Sequence, residues 1–178
     1  FDRVENKKPA WVPWCTMHKV LSGLISVYTY TKNETAKKVA SKLGVWIYRR
    51  CTAWTEETQK QVLAVEYGGM NDCLYDLYAI IEDERLIKAA HQFDEMTLFQ
   101  KLYEGADILN GLHANTTIPK VLGALKRYVL LGESFYLEVA KNFWNMVVEH
   151  HSYITGGNSE WEHFGKPDIL GGERTACN

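Results

Sequence analysis

The sequence predicts an all-α protein made of three helical hairpins. Matching residues recur 50 positions apart, and the clearest column is Tyr28, Tyr78 and Tyr128. Apolar residues recur at helical spacing on either side of each tyrosine, and a short polar turn follows it. A fixed period of this length indicates stacked supersecondary units.

Each repeat contains two predicted helices. In the third repeat Val121, Leu122 and Leu125 share a face with Tyr128, and no strand-like alternation competes with this pattern. A short turn makes the two helices of a pair antiparallel neighbours. The predicted helices cover residues 15–31, 35–51, 69–81, 84–99, 116–131 and 134–150.

The arrangement of the three hairpins stays open at this point. An open solenoid and half of a closed (α/α)6 toroid both have this periodicity. The long linkers, residues 51–68, 99–116 and 152–178, follow the hairpins and are rich in Gly, His and carboxylates. Since loops on a rigid scaffold commonly carry function, we expect the functional face there.

The composition excludes several classes of partner. Hydrophobic residues make up 46% of the chain, charged residues 24%, and the net charge is −2. No basic stripe favours nucleic acid or an anionic membrane, and no apolar run reaches the length of a membrane span. The four cysteines show no CxxC spacing and no signal core is visible, so we expect a cytoplasmic protein. Phe1 and Asn178 both read as internal positions of a longer protein.

The tail, residues 152–178, contains the segment that is richest in candidate catalytic residues. Two glycines precede a cluster in which Glu162 lies between Trp161 and His163. An aromatic side chain can exclude water from a carboxylate and favour its protonated form, as a general acid needs near neutral pH. A solvated glutamate on a surface loop fits the same residues.

Other polar residues have a structural and a functional interpretation. His18 lies on an apolar helix face, where a hydrogen-bonded core histidine is the default, and His113 lies in a polar linker that leads into a helix. Glu173 and Cys177 are four residues apart and have the chemistry to share a zinc ion, although two ligands do not make a site.

Several stretches together resemble the β-L-arabinofuranosidase family, glycoside hydrolase family 127 and its sister family 146, with the sister family fitting better. The resemblance implies that residues 1–178 are half of an (α/α)6 barrel: three hairpins plus an active-site loop over 152–178. It also implies a retaining glycosidase that acts on β-linked L-arabinofuranose. The matching stretches are Thr16-Met17-His18-Lys19, Glu66-Tyr67-Gly68-Gly69-Met70-Asn71, residues 106–120, residues 153–158 and Glu162-His163-Phe164-Gly165.

The same resemblance implies roles for individual residues. Glu162 matches the acid/base, His18 and His113 match substrate-pocket histidines, and Glu66 and Asn71 would line the same pocket.

The family's nucleophile is a cysteine thiolate held on zinc. The resemblance puts it beyond residue 178, so this chain alone is not expected to complete a catalytic cycle. Cys177 matches a second zinc thiolate of the family. Thr175 stands where the family has a glutamate ligand, which leaves Glu173 as a weaker candidate.

Two alternatives remain beside the glycosidase. One is a non-catalytic helical repeat that binds a partner along its concave face. The other is a different sugar-active enzyme on the same toroid, such as an epimerase or an unsaturated-uronide hydrolase. The last predicted helix keeps an apolar face with Trp144, Val147 and Val148, which predicts self-association through an exposed hairpin edge.

Overall fold

The computed structural model describes residues 1–169 and 175–176, and this part of the chain is all-α apart from one pair of two-residue strands. The predicted fold class is therefore confirmed. None of the described helices is long and apolar enough to cross a membrane. The helices are Asp2–Glu5 (α1), Pro13–Thr31 (α2), Glu34–Cys51 (α3), Glu56–Leu63 (α4), Met70–Ile81 (α5), Glu84–His91 (α6), Met96–Tyr103 (α7), Ala114–Leu131 (α8) and Ser134–His150 (α9), and Ser159–Glu160 (β1) pairs antiparallel with Thr175–Ala176 (β2).

The 50-residue repeat is visible in the backbone of the hairpin turns α2–α3, α5–α6 and α8–α9. Each first helix ends in a residue with left-handed backbone, at φ 57°, 53° and 74°. The amide of that residue donates to the carbonyl of the repeated tyrosine at 2.8 Å in all three turns, which closes the last helical turn. The capping residues are Lys32, Glu82 and Gly132.

The second helix of each of the first two hairpins begins at a side-chain cap. Asn33 accepts a hydrogen bond from the Ala36 amide at 3.0 Å, and Asp83 accepts one from the Arg85 amide at 3.0 Å. Such caps satisfy amides that have no partner inside the helix. Local chemistry thus fixes where these hairpins turn.

The prediction of one helix over residues 84–99 is wrong. Helix α6 ends at His91 and α7 begins at Met96, so four residues form a turn between them. Phe93 and Asp94 both point into the core from this turn, with 0% and 4% of their surfaces exposed. The turn directs the two side chains to different partners, since Phe93 contacts the ring of Trp14 and Asp94 accepts a hydrogen bond from Asn71. The predicted linker 51–68 also differs, because it contains α4.

The described chain divides into two compact units, and the first covers Phe1–Asp94. In this unit the α2–α3 hairpin packs on the α5–α6 hairpin. Edge-on aromatic contacts join Trp14 to Phe1 at 4.6 Å, to Trp54 at 5.4 Å and to Phe93 at 5.1 Å. These contacts tie the start of the chain to the turn that precedes α7.

The second unit covers Glu95–Asn178. Helix α9 packs against both α8 and α7. Their buried side chains enclose Phe164, which is only 2% exposed. Phe164 belongs to the tail that follows α9. The tail is therefore fastened to the helical core at this residue.

Two helical glycines provide a matched test of this packing. A Cβ at Gly44 would lie 2.6 Å from Leu86 and 2.8 Å from Leu77, whereas a Cβ at Gly23 would meet nothing within 4 Å. The atoms met are terminal methyls of Leu86 and Leu77, but both side chains are fully buried and have no free space to move into. Overpacking a filled core costs about 1–3 kcal/mol, which outweighs the roughly 0.5–1 kcal/mol that alanine gains over glycine in a helix, and at the exposed Gly23 only that gain applies. We expect Gly44→Ala to lower the free energy of unfolding and Gly23→Ala to raise it, as measured by urea denaturation. Equal stabilisation by both would contradict the close α3–α5–α6 packing.

Candidate active site

Glu162 lies at the tip of a tight hairpin turn in the tail. The backbones of Glu160 and His163 exchange two hydrogen bonds, of 2.8 and 3.0 Å, which leaves Trp161 and Glu162 as a two-residue loop. Both loop residues have left-handed backbone, with φ of 52° and 68°. This sign of φ is required by a type I′ turn, which normally contains Asn-Gly. The turn is therefore strained, by about 1–2 kcal/mol for each non-glycine residue.

The segment before α8 supports this strained turn. The Gly111 amide donates to the Phe164 carbonyl at 2.8 Å, and the Phe164 amide donates to the Leu112 carbonyl at 2.9 Å. The Ala114 amide donates to the Glu162 carbonyl at 2.9 Å. Residues 111–114 and 162–164 thus run antiparallel and hold each other in register.

This pairing brings two sequence-predicted residues together. The closest distance from His113 Nε2 to a carboxylate oxygen of Glu162 is 3.9 Å. The side chain of His113 is 18% exposed and that of Glu162 is 67% exposed, so a histidine faces a carboxylate that water and ligand can reach. The expected exclusion of water by Trp161 is not found, because Trp161 is itself 65% exposed.

His163 is a third member of this group that sequence reasoning did not assign. Its ring stacks on that of His113, with centroids 5.2 Å apart. Its Nδ1 lies 2.7 Å from the Trp161 carbonyl, and since a carbonyl only accepts, Nδ1 donates. The sequence feature that could have identified His163 was its position next to Glu162, in a stretch that resembles the family.

A buried histidine–aspartate pair, His151 and Asp107, contacts the residue that follows this turn by one position, Phe164. His151, whose side chain is 1% exposed, places Nε2 2.8 Å from a carboxylate oxygen of Asp107. The other oxygen of Asp107 accepts from the Leu109 amide at 3.1 Å, and the His151 ring contacts that of Phe164 edge-on at 5.6 Å. The pair therefore joins the end of α9 to the linker that leads to His113. The partner of His151 is 44 residues earlier in the sequence, so no local pattern indicates this pair.

His18, in the first unit, is buried against a glycine pair. Its Nδ1 accepts a hydrogen bond from the Gly69 amide at 3.0 Å, so this nitrogen carries no proton. The neighbouring Gly68 has φ 58°, and a Cβ there would lie 2.8 Å from His18 Nδ1 and 3.3 Å from the sulfur of Cys15. The two glycines of the Glu66–Asn71 stretch thus allow the backbone to approach the imidazole.

Asn71 belongs to a buried polar network in the same unit. Its side-chain amide donates to Asp94 at 3.1 Å, and the Tyr75 hydroxyl lies 3.4 Å from the other oxygen of Asp94. Asn71 is fully buried, whereas Glu66 is half-buried. Asp94 was missed because its burial depends on partners 19 and 23 residues earlier.

The predicted zinc ligands Cys177 and Glu173 lie outside the described residues. Within residues 1–169 and 175–176 no group of three or more His, Cys, Asp or Glu side chains is arranged to hold a metal. Cys51 is buried in the first unit, and burial raises the pKa of its thiol to about 12. That thiol stays protonated at neutral pH and is a poor nucleophile.

Comparison with known proteins identifies the chain. A family model described as the β-L-arabinofuranosidase, GH127 catalytic domain, matches residues 1–178. The class of protein is therefore a helical glycoside hydrolase. The chain belongs to the β-L-arabinofuranosidase GH127 family, as its sequence stretches predicted; its likeness to family 146 stays a prediction. No curated protein matches the chain.

A histidine–aspartate contact closes the tail onto α9 and gives a pH-dependent prediction. His150 Nδ1 lies 2.9 Å from Asp168, and the Asp168 amide donates to the His150 carbonyl at 2.9 Å. The hydrogen bond with Asp168 raises the pKa of His150 above its ordinary value, and Glu149, 3.9 Å from Nε2, acts in the same direction. The stabilisation is then complete below a pH of about 6.5 and is lost as pH rises through the raised pKa.

We expect amide exchange at Asp168, corrected for intrinsic rates, to become faster relative to amides of α9 across that pH range. Asp168→Asn should remove most of the pH dependence. The same profile in Asp168→Asn and the unsubstituted chain would exclude this contact as its cause.

Proposed function

We propose that Glu162 is the general acid/base of a retaining glycosidase that cleaves β-linked L-arabinofuranosides. The observation that carries the proposal is an exposed carboxylate on a strained turn, 3.9 Å from His113. Non-glycine residues with positive φ persist only where their surroundings hold them, and they concentrate at functional sites. The family membership supplies the class of reaction.

Glu162 would act twice in this reaction. In its protonated form it gives a proton to the departing glycosidic oxygen. As a carboxylate it then removes a proton from the water that releases the sugar. Its exposure leaves room for both the glycosidic oxygen and the water.

We propose sugar-binding roles for the matching polar residues of each unit separately. His113 is adjacent to Glu162, so we propose that it lies next to a sugar hydroxyl beside the scissile bond. The Gly69 amide occupies His18 Nδ1, so the proton of the neutral ring is on Nε2, and we propose that this ring forms part of the wall of the pocket. Glu66 and Asn71 are proposed to line the pocket near His18, with Asp94 orienting the Asn71 amide.

Zinc stays a prediction from the family resemblance. When bound, it would keep a cysteine thiolate deprotonated. The two predicted ligands in this chain, Glu173 and Cys177, are fewer than the three or four that zinc takes in proteins, and both lie outside the described residues. No step of the proposed mechanism is therefore assigned to the metal.

Replacing the carboxylate tests the role of Glu162. In the gene product that contains residues 1–178, we expect Glu162→Gln to lower kcat on a β-linked arabinofuranosyl disaccharide by about 10²- to 10⁴-fold. The effect on kcat/KM for a 4-nitrophenyl arabinofuranoside should be smaller, since kcat/KM reports the first step and that leaving group needs little protonation, whereas kcat should stay low because sugar release still needs the base. Initial rates on both substrates measure the difference.

Glu160→Gln is the matched control, because it changes a carboxylate on the same hairpin and leaves the backbone bonds of the turn intact. Equal losses in the two variants, or an unaffected Glu162→Gln, would contradict the assignment. Hydrolysis of other glycosides without any activity on arabinofuranosides would instead support a different sugar-active enzyme on this fold.

We also propose that the α8–α9 surface binds a second copy of the chain. It forms an apolar groove of about 330 Å³ whose lining includes Leu122, Leu125 and Trp144, and Trp144 is 68% exposed. Position 144 is two repeats after Gly44, the residue through which α3 packs on the next hairpin. The groove is thus the surface that an earlier repeat uses to bind a hairpin, and a second copy offers hairpins of the same kind. The predicted arrangement of the three hairpins as half of an (α/α)6 toroid is part of this proposal.

Charge placed in the groove should disrupt the association. We expect Trp144→Glu to reduce the mass found by light scattering at high protein concentration, because burying an unpaired carboxylate is costly. Trp11→Glu is the control, since Trp11 is 88% exposed and lies outside the groove. A monomeric unsubstituted chain, or equal effects of the two variants, would overturn the proposal.

A further inference from the structure

A second groove, of about 370 Å³, lies in the first unit between α3 and the start of α6. No part of the proposed mechanism uses it. Its lining combines cationic side chains with a partly exposed indole and an aliphatic side chain. The residues that matter are Lys42, Val45, Trp46, Arg49, Asp83 and Arg85.

Helix α3 supplies the positive charge of this groove. Lys42, Trp46 and Arg49 are spaced i, i+4 and i+7, which places them on one side of the helix. The two cations are about 10 Å apart along the helix axis, at 1.5 Å per residue. Both are exposed, and within the part of the chain that the structure describes neither has a carboxylate at ion-pair distance.

The carboxylate in the lining does not cancel these cations. Arg85 Nε contacts both oxygens of Asp83, at 2.9 and 3.1 Å, and the guanidinium makes a further contact at 2.6 Å. The hydrogen bonds from Arg85 hold the pKa of Asp83 below its ordinary value, so the pair stays ionised and internally neutralised. Lys42 and Arg49 then leave the groove with two positive charges.

The indole of Trp46, in the apolar part of the groove, packs against side chains of its own unit. Arg50 stacks over the Trp46 ring, 5.5 Å from its centroid, and Phe1 contacts the same ring at 5.0 Å. The indole remains 37% exposed beside Val45. The exposed apolar atoms of Trp46 and Val45, between two cations, suit a ring that has C–H groups on its face and carboxylates on its rim.

We propose that this groove, in the first unit, binds carboxylated sugar units of an acidic polysaccharide. Guanidinium and ammonium groups pair with carboxylates, and the indole packs on the sugar ring. Non-specific nucleic-acid binding draws on some 6–10 phosphate contacts, and polybasic membrane sites carry about 4–8 cations. Two cations beside an indole are too few for either, but they match a polymer with one carboxylate per sugar.

Affinity electrophoresis of the chain in gels containing polygalacturonate tests this proposal. We expect retardation by polygalacturonate and none by its fully methyl-esterified form, which keeps the sugar chain and removes the charge. Lys42→Gln/Arg49→Gln should raise the dissociation constant about five- to tenfold, as expected for two exposed ionic contacts.

Lys19→Gln/Lys60→Gln is the control, because it removes the same charge from exposed positions on other helices, outside the groove. Equal weakening by both double variants would show diffuse electrostatics and overturn the proposal, as would absence of retardation of the unsubstituted chain. Equal retardation by a DNA fragment, or equal binding to anionic vesicles, would also overturn it. The assay needs no turnover, so its result is independent of the role of Glu162.

Discussion

The antiparallel pairing of residues 111–114 with 162–164 is the interaction on which the candidate site depends. Trp161 and Glu162 hold backbone conformations that cost about 1–2 kcal/mol each. Five backbone hydrogen bonds act against this cost, two within the turn and three across the pairing, each worth about 0.5–1.5 kcal/mol net. The two sums are similar, so removing the pairing would let the turn relax and move the carboxylate away from His113.

Phe164 explains why the pairing forms at this place. It follows Glu162 by two residues, and its ring is buried among side chains of the second unit, including Phe143 at 6.2 Å. Its backbone makes two of the three bonds to residues 111 and 112. An apolar anchor therefore sets the register, and the register then sets the position of a polar group that is itself exposed.

The sequence could predict the hairpins because their signals are local. The repeated tyrosines precede left-handed caps, and Asn33 and Asp83 cap the helices that follow. The break after His91 could not be predicted this way, since it exists to bury Asp94 against Asn71 and Tyr75 in another helix. Glu162 and His113 could each be predicted separately from the sequence. Their proximity could not be predicted, because it depends on pairing between segments some 50 residues apart.

Backbone groups determine which ring nitrogen carries the proton in two histidines of this protein. The amide of Gly69 requires His18 Nδ1 to be an acceptor, whereas the carbonyl of Trp161 requires His163 Nδ1 to be a donor. Neither hydrogen bond involves a charged partner, so each ring is oriented by the main chain. In His163 the carbonyl belongs to the strained turn itself. The conformation that exposes Glu162 therefore also fixes the proton position on the ring stacked against His113, and relaxation of the turn would change both together.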